Sequence, residues 1–174
     1  MLPRNLTLLS GLKVLIVDDE PEALELTELM LSFYGAQVIS CLTAAQGLEQ
    51  LRTHCPDVII CDINMPQMNG YQFIQAVRNF STDKGRNTLA VALSALGKEE
   101  AQTYALGASF QRYLCKPIQL LTLLETVSEL AGNRSRNQDA KGESTRRGRL
   151  PVAEMNRTSR MSPGTTGLEN LLDG

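Results

Sequence analysis

Between Lys13 and Leu130, short apolar runs alternate five times with longer amphipathic stretches, and this leaves few folds open. The first run, Lys13-Val14-Leu15-Ile16-Val17, is rich in β-branched residues and ends in acids, as a buried strand does. Pro21 then suits the first turn of a helix, where its missing N–H costs nothing. Leu26, Leu29, Met30 and Phe33 follow at helical spacing, and Gly35 marks the stop. Gln37–Cys41 reads as a second strand, and Thr43 can cap a helix running to about Thr53. Asp57–Cys61 is a third, clearly apolar strand. After a Pro66–Gly70 turn, Phe73, Ile74 and Val77 give the next helix its inner face. Leu89–Leu93 and Phe110–Leu114 complete the strands. A short helix is expected at 98–106, and Ile118–Leu130 forms a last helix with an apolar stripe.

Strands alternating with helices at this pitch predict βαβ units and a parallel sheet covered on both faces. The expected architecture is a flavodoxin-like (βα)5 fold, a doubly wound five-stranded parallel sheet of order 2-1-3-4-5. Its limits fall at residues 12–131, after an N-terminal extension over 1–11. From Gly132 the pattern fails: of the 43 residues in 132–174, only nine are Ala, Val, Leu or Met. Such a segment cannot offset its own ordering entropy, so a disordered tail is expected. It offers no second periodic run for a helix-turn-helix or an enzyme domain.

Charge divides along the same boundary. Residues 1–131 carry a net of -5 and residues 132–174 a net of +3. A mildly acidic body lacks the clustered Lys and Arg that phosphate contacts need, so direct DNA binding is not expected. No apolar run is long enough to span a membrane. Cys41, Cys55, Cys61 and Cys115 have no CxxC spacing, and the single His54 gives no zinc set. Three of the cysteines lie in or at the end of apolar runs, which predicts structural thiols and fits a reducing cytoplasm.

Parallel strands place their carboxyl ends on one edge, where α/β sheets gather their sites. Asp18 and Asp19 follow strand one, Asp62 follows strand three, Ser94 follows strand four and Lys116 follows strand five. Three close carboxylates repel one another unless a cation sits among them. Mg²⁺ suits the set, because it takes hard oxygen ligands and works with one or two carboxylates plus phosphate. A carboxylate there can attack phosphorus and form an aspartyl phosphate. The metal and a lysine would neutralise charge on the transferred oxygens, and a nearby hydroxyl can bond the new phosphoryl group. Singly, each residue has a plainer reading as a helix cap, a turn residue, a surface charge or a core aromatic. Their joint order along the chain favours a site.

Val17-Asp18-Asp19-Glu20, Cys61-Asp62-Ile63-Asn64-Met65-Pro66, Gly70, Leu93-Ser94-Ala95 and Tyr113-Leu114-Cys115-Lys116-Pro117 together resemble the receiver domain of two-component response regulators. The resemblance implies the same sheet order that the strand pattern suggests. It also implies that Asp62 is the phosphoacceptor. Asp19, Asp62 and the backbone carbonyl of Asn64 would coordinate Mg²⁺, with Asp18 assisting through water. Ser94 would be the switch hydroxyl, Tyr113 the aromatic switch and Lys116 the phosphoryl-contacting ammonium. A cis bond is implied at Lys116–Pro117, and Leu96, with Asn64, is expected to affect phosphoryl lifetime.

The expected function is that of a single-domain response regulator. A sensor histidine kinase or histidine phosphotransfer protein would phosphorylate Asp62, and the output would be changed affinity for a downstream protein. Two alternatives stay open: a receiver-like interaction module independent of phosphorylation, and an intermediate in a phosphorelay. A metal phosphatase or haloacid-dehalogenase-like hydrolase would want an acid two residues after its nucleophile, where Asn64 stands. No enzymatic turnover is therefore expected beyond self-catalysed phosphorylation and dephosphorylation at Asp62.

Overall fold

A computed structural model describes residues 7–81, 83–95 and 110–132. The five strands are β1 (Lys13–Val17), β2 (Gln37–Cys41), β3 (Val58–Asp62), β4 (Leu89–Ser94) and β5 (Arg112–Cys115). They form one sheet of order β2-β1-β3-β4-β5 with every pairing parallel, as the alternation predicts. The helices are α1 (Pro21–Phe33), α2 (Ala44–His54), α3 (Gly70–Arg78), a short α4 (Asp83–Arg86) and α5, which spans residues 120–132. The apolar pattern carries no sign of α4, which is a single turn. The helix expected at 98–106, Leu96 and the segment 133–174 lie outside the described residues.

Side chains on each strand alternate between two cores. Leu15, Val17, Ile59, Cys61, Ala90 and Ala92 pack beneath α2 and α3, together with Leu51, Phe73, Ile74 and Val77. Val14, Ile16, Val58, Ile60, Val91 and Leu93 pack on the opposite face with Leu24 and Leu31 of α1 and Leu123, Leu124, Val127 and Leu130 of α5. Burying each large aliphatic group is worth about 1.5–3 kcal/mol, so the central strands anchor both layers. Leu9, upstream of the limit expected at residue 12, is fully buried in the second core, and its N–H donates to the Tyr34 carbonyl at 2.9 Å.

Local chemistry fixes the helix ends. Thr43 Oγ1 accepts the Gln46 N–H at 3.2 Å and starts α2. Asn69 and Gln72 make a reciprocal capping box at α3, with bonds of 2.9 and 3.1 Å. Pro21 opens α1, and Gly35 beyond its end has φ +93°, a conformation that suits glycine.

The apolar residues whose spacing announces α1 are not the ones it buries. Its inner face is Leu24, Thr27 and Leu31, whereas Leu26, Leu29 and Phe33 face outward and Met30 is half-buried. Thr27 is hidden at low cost because its hydroxyl donates to the Ala23 carbonyl at 2.8 Å. Among the described residues, no helix is long and apolar enough to cross a membrane.

Candidate functional site

The strand registers bring Val17, Cys41 and Cys61 level, Asp62 beside Leu93, and Ser94 beside Cys115. Asp18 follows β1 directly, Asp62 ends β3, Ser94 ends β4, and Lys116 follows β5. Backbone bonds continue the ladder past the strand ends. Asp18 N–H donates to the Cys41 carbonyl at 3.1 Å, Ile63 N–H to Leu93 at 3.0 Å, and Lys116 N–H to Ser94 at 2.8 Å.

Ligand oxygens of Asp18, Asp19 and Asp62 all lie within 4.8 Å of one another. Asp18 and Asp62 are buried, while Asp19 is the more open member. The Lys116 ammonium lies 2.9 Å from Asp18 Oδ2 and 3.2 Å from Asp62 Oδ2. Asp18 Oδ2 and the Lys116 ammonium form a close, charge-assisted pair. The other Asp18 oxygen, Oδ1, accepts the Glu20 N–H at 3.0 Å, which fixes the carboxylate and the chain entering α1.

Burial pulls the Lys116 pKa down, but the Asp18 and Asp62 carboxylates outweigh it and hold the ammonium above its ordinary value of 10.5. Lys116 therefore carries a full positive charge throughout the neutral range. One ammonium cannot balance three carboxylates. The surplus negative charge, hard oxygen donors and close spacing fit a divalent cation.

Gly70 sets the reach of the loop between β3 and α3. A Cβ at this position would run into the Asp62 carbonyl oxygen and come within 2.9 Å of Ile63 Cα. The Gly70 N–H donates to the Ile63 carbonyl at 3.0 Å, so the start of α3 presses against the residue that carries the Asp62 carboxylate. Asn64 is exposed in this loop. The Lys116–Pro117 peptide bond is cis.

Tyr113 lies half-buried on β5, further from the strand ends. Its hydroxyl is buried and, among the described residues, has no hydrogen-bond partner. The ring packs edge-on against Phe110 at 5.7 Å between centroids, and Phe110 meets Tyr71 in the same way at 6.2 Å. Burial, with a smaller contribution from Tyr71, pushes the Tyr113 pKa up to about 12. Sequence reasoning singles out Tyr113 but assigns no role to Phe110, which it touches, or to Tyr71 beyond it. Tyr71 directly follows Gly70, so a contact across the fold has no local signal.

Of the four cysteines, Cys41 and Cys61 are buried while Cys55 and Cys115 are exposed. Cys115 departs from the expectation for thiols at the ends of apolar runs because β5 is an edge strand, covered on fewer sides.

Open parallel sheets gather their sites at the carboxyl edge of the strands, and here that edge brings three acids around one lysine. The family model for the response regulator receiver domain matches residues 14–128, and the chain belongs to that family. It is similar to the protein PilH of Pseudomonas aeruginosa, at 32% identity over 69% of this chain and 98% of PilH. It is also similar to an uncharacterized 14.6 kDa protein of Leptolyngbya boryana, at 35% identity over 70% of this chain and 91% of that protein. The structure of the chemotaxis protein CheY4 of Vibrio cholerae superposes with a TM-score of 0.64 at 28% identity, covering 68% of this chain and 98% of that one. Longer relatives are matched only in part: the chain spans 15% of a sensor histidine kinase and 63% of a transcriptional regulatory protein.

Proposed function

We propose that this chain is a phosphorylation-controlled switch in two-component signalling, with Asp62 as its phosphoacceptor. The observation that carries this reading is the Asp62 carboxylate, buried at the end of β3, 3.2 Å from the Lys116 ammonium and grouped with Asp18 and Asp19. An Asp62 oxygen would attack the phosphorus of a phosphohistidine on a kinase or phosphotransfer protein. The new O–P bond forms as the N–P bond breaks, and the donor ring, protonated on its other nitrogen, takes the bonding pair and leaves as neutral imidazole beside an aspartyl phosphate. Lys116 holds its proton and offsets charge on the transferred oxygens. Asp18, Asp19 and Asp62, with the Asn64 carbonyl, would hold Mg²⁺, which when bound supplies further neutralisation of the phosphoryl oxygens.

Ser94, at the end of β4, would bond the arriving phosphoryl group, and Tyr113 would respond by changing its packing. The output is a shift between two pre-existing arrangements of the β4–β5 side, read by another protein as a change in affinity. Turnover of a separate substrate forms no part of this role.

Incubation with acetyl phosphate and Mg²⁺, followed by Phos-tag electrophoresis, tests the reading. The wild-type chain is expected to give a retarded band, and Asp62→Asn or omission of the cation is expected to abolish it. Equal retardation of Asp62→Asn would refute the assignment.

A further inference from the structure

Helix α1 turns an apolar stripe to water. Leu26, Leu29 and Phe33 are 53%, 65% and 63% exposed, and their spacing of three and four residues aligns them opposite the buried Leu24, Thr27 and Leu31. Three large apolar groups in one line on a solvent face mark a surface that something covers.

Charge restricts what the occupant can be. Glu22, Glu25 and Glu28 are exposed on the same helix, and no Lys or Arg occurs anywhere in Pro21–Phe33. Glu28 is turned toward β2, where it accepts the Ser40 hydroxyl at 2.6 Å. A second copy of this helix would set glutamates against glutamates. A basic segment carrying a few apolar side chains fits instead.

The chain contains such a segment. Arg146-Arg147-Gly148-Arg149-Leu150-Pro151-Val152 has three arginines, no acid and two large aliphatic residues in seven positions. It also starts within reach. Leu130, in the last turn of α5, belongs to the same core cluster as Leu24 and Leu31 of α1, so both helices lie on one face of the sheet. Thirteen residues, 133–145, separate the segment from α5, and a chain of that length with coil statistics reaches about 20 Å, comparable with the ~20 Å length of a 13-residue helix. Tethering at this distance gives an effective concentration on the order of millimolar, so a weak contact suffices.

We propose that residues 146–152 dock on the α1 stripe of the same molecule. The arginines meet Glu22 and Glu25, while Leu150 and Val152 cover Leu26, Leu29 and Phe33. Because α1 starts just after Asp18 and Asp19, the docked segment would also compete with any protein that approaches the acidic site across this helix.

The test uses the full chain and a charge-reversed variant, Arg146→Glu with Arg147→Glu and Arg149→Glu. Methyl NMR of Leu26 and Leu29 and the fluorescence of an apolar dye are read over a tenfold range of protein concentration. Charge reversal is expected to shift both leucine signals and to raise dye fluorescence at least twofold, equally at every concentration. Adding Leu26→Gln and Leu29→Gln should remove the extra fluorescence, and high salt should reproduce the shifts in the wild-type chain. Signals that ignore the charge reversal overturn the proposal. Changes that grow with protein concentration overturn it as well, in favour of association between copies. Acetyl phosphate labelling of the variant, expected to match wild type, confirms that the receiver fold is intact.

Discussion

At the amino end of the sheet, Asp57 and Lys13 are joined by two hydrogen bonds, one to the Asp57 carboxylate and one between backbones. The Lys13 N–H donates to Asp57 Oδ2 at 3.0 Å, and the Asp57 N–H donates to the Lys13 carbonyl at 2.8 Å. At the carboxyl end, Asp18, Asp19 and Asp62 crowd within 4.8 Å, with Lys116 between two of them. The same residue type therefore serves opposite purposes. Asp57 uses its oxygen to tie β1 to the start of β3, so it adds to stability. The three acids at the other end leave negative charge in excess around one ammonium, which is expected to cost stability.

The largest expected effect is at Gly70, where the carboxyl end depends on backbone contact. In Gly70→Ala the new methyl meets main-chain atoms of Asp62 and Ile63, which cannot swing aside as a flexible side chain would. A loss of about 2 kcal/mol in urea unfolding is expected, within the usual cost of overpacking. A loss below about 0.5 kcal/mol would mean that the β3–α3 loop relaxes freely and that the carboxyl end is less tightly built than its contacts suggest.

Removing one acid from each end tests the contrast directly. Asp57→Ala should lower stability by about 1 kcal/mol, the usual net worth of such a hydrogen bond, and leave acetyl phosphate labelling unchanged. Asp62→Asn should raise stability by about 1 kcal/mol without divalent cations, because it relieves repulsion while Lys116 keeps Asp18 as a partner. Millimolar Mg²⁺ should narrow that gap by stabilising the wild-type chain more than the variant. If both substitutions destabilise to the same degree, the two ends do not differ in the way proposed.

The carboxyl end is legible in the sequence. β-branched runs locate the strands, parallel pairing then aligns their ends, and the acids and lysine sit at or just beyond those ends. Helix α3 is equally clear because Phe73, Ile74 and Val77 are its only large apolar residues besides Tyr71. Helix α1 is not. It has apolar residues on both faces, so Leu26, Leu29 and Phe33 match a helical period as well as Leu24 and Leu31 do, and Thr27 disguises the buried face. The Asp57–Lys13 bridge and the Tyr71–Phe110 ring contact join residues distant in the chain, and single-sequence periodicity carries no pairing information.

The smallest expected effect concerns the thiols, which report on each end without disturbing it. Cys55 follows α2 near the amino end, Cys115 lies beside Lys116 at the carboxyl end, and both are exposed. Cys41 and Cys61 are buried. Burial raises the Cys41 pKa from 9.0 to about 11. Cys61 is pushed well above 9.0 by burial first and by the Asp62 and Asp18 charges next, against an opposing pull from Lys116. The folded state thus holds both thiols neutral while the unfolded chain ionises near pH 9. Their contribution to stability is complete below that pH and is lost as pH rises from about 9 toward the folded-state values. At a pH of about 8, a thiol reagent should modify two groups quickly and the other two only as fast as the protein opens. A third fast thiol would show that one end of β2 or β3 is open to solvent, and if it were Cys61, the packing that holds Asp62 in place would be the part at fault.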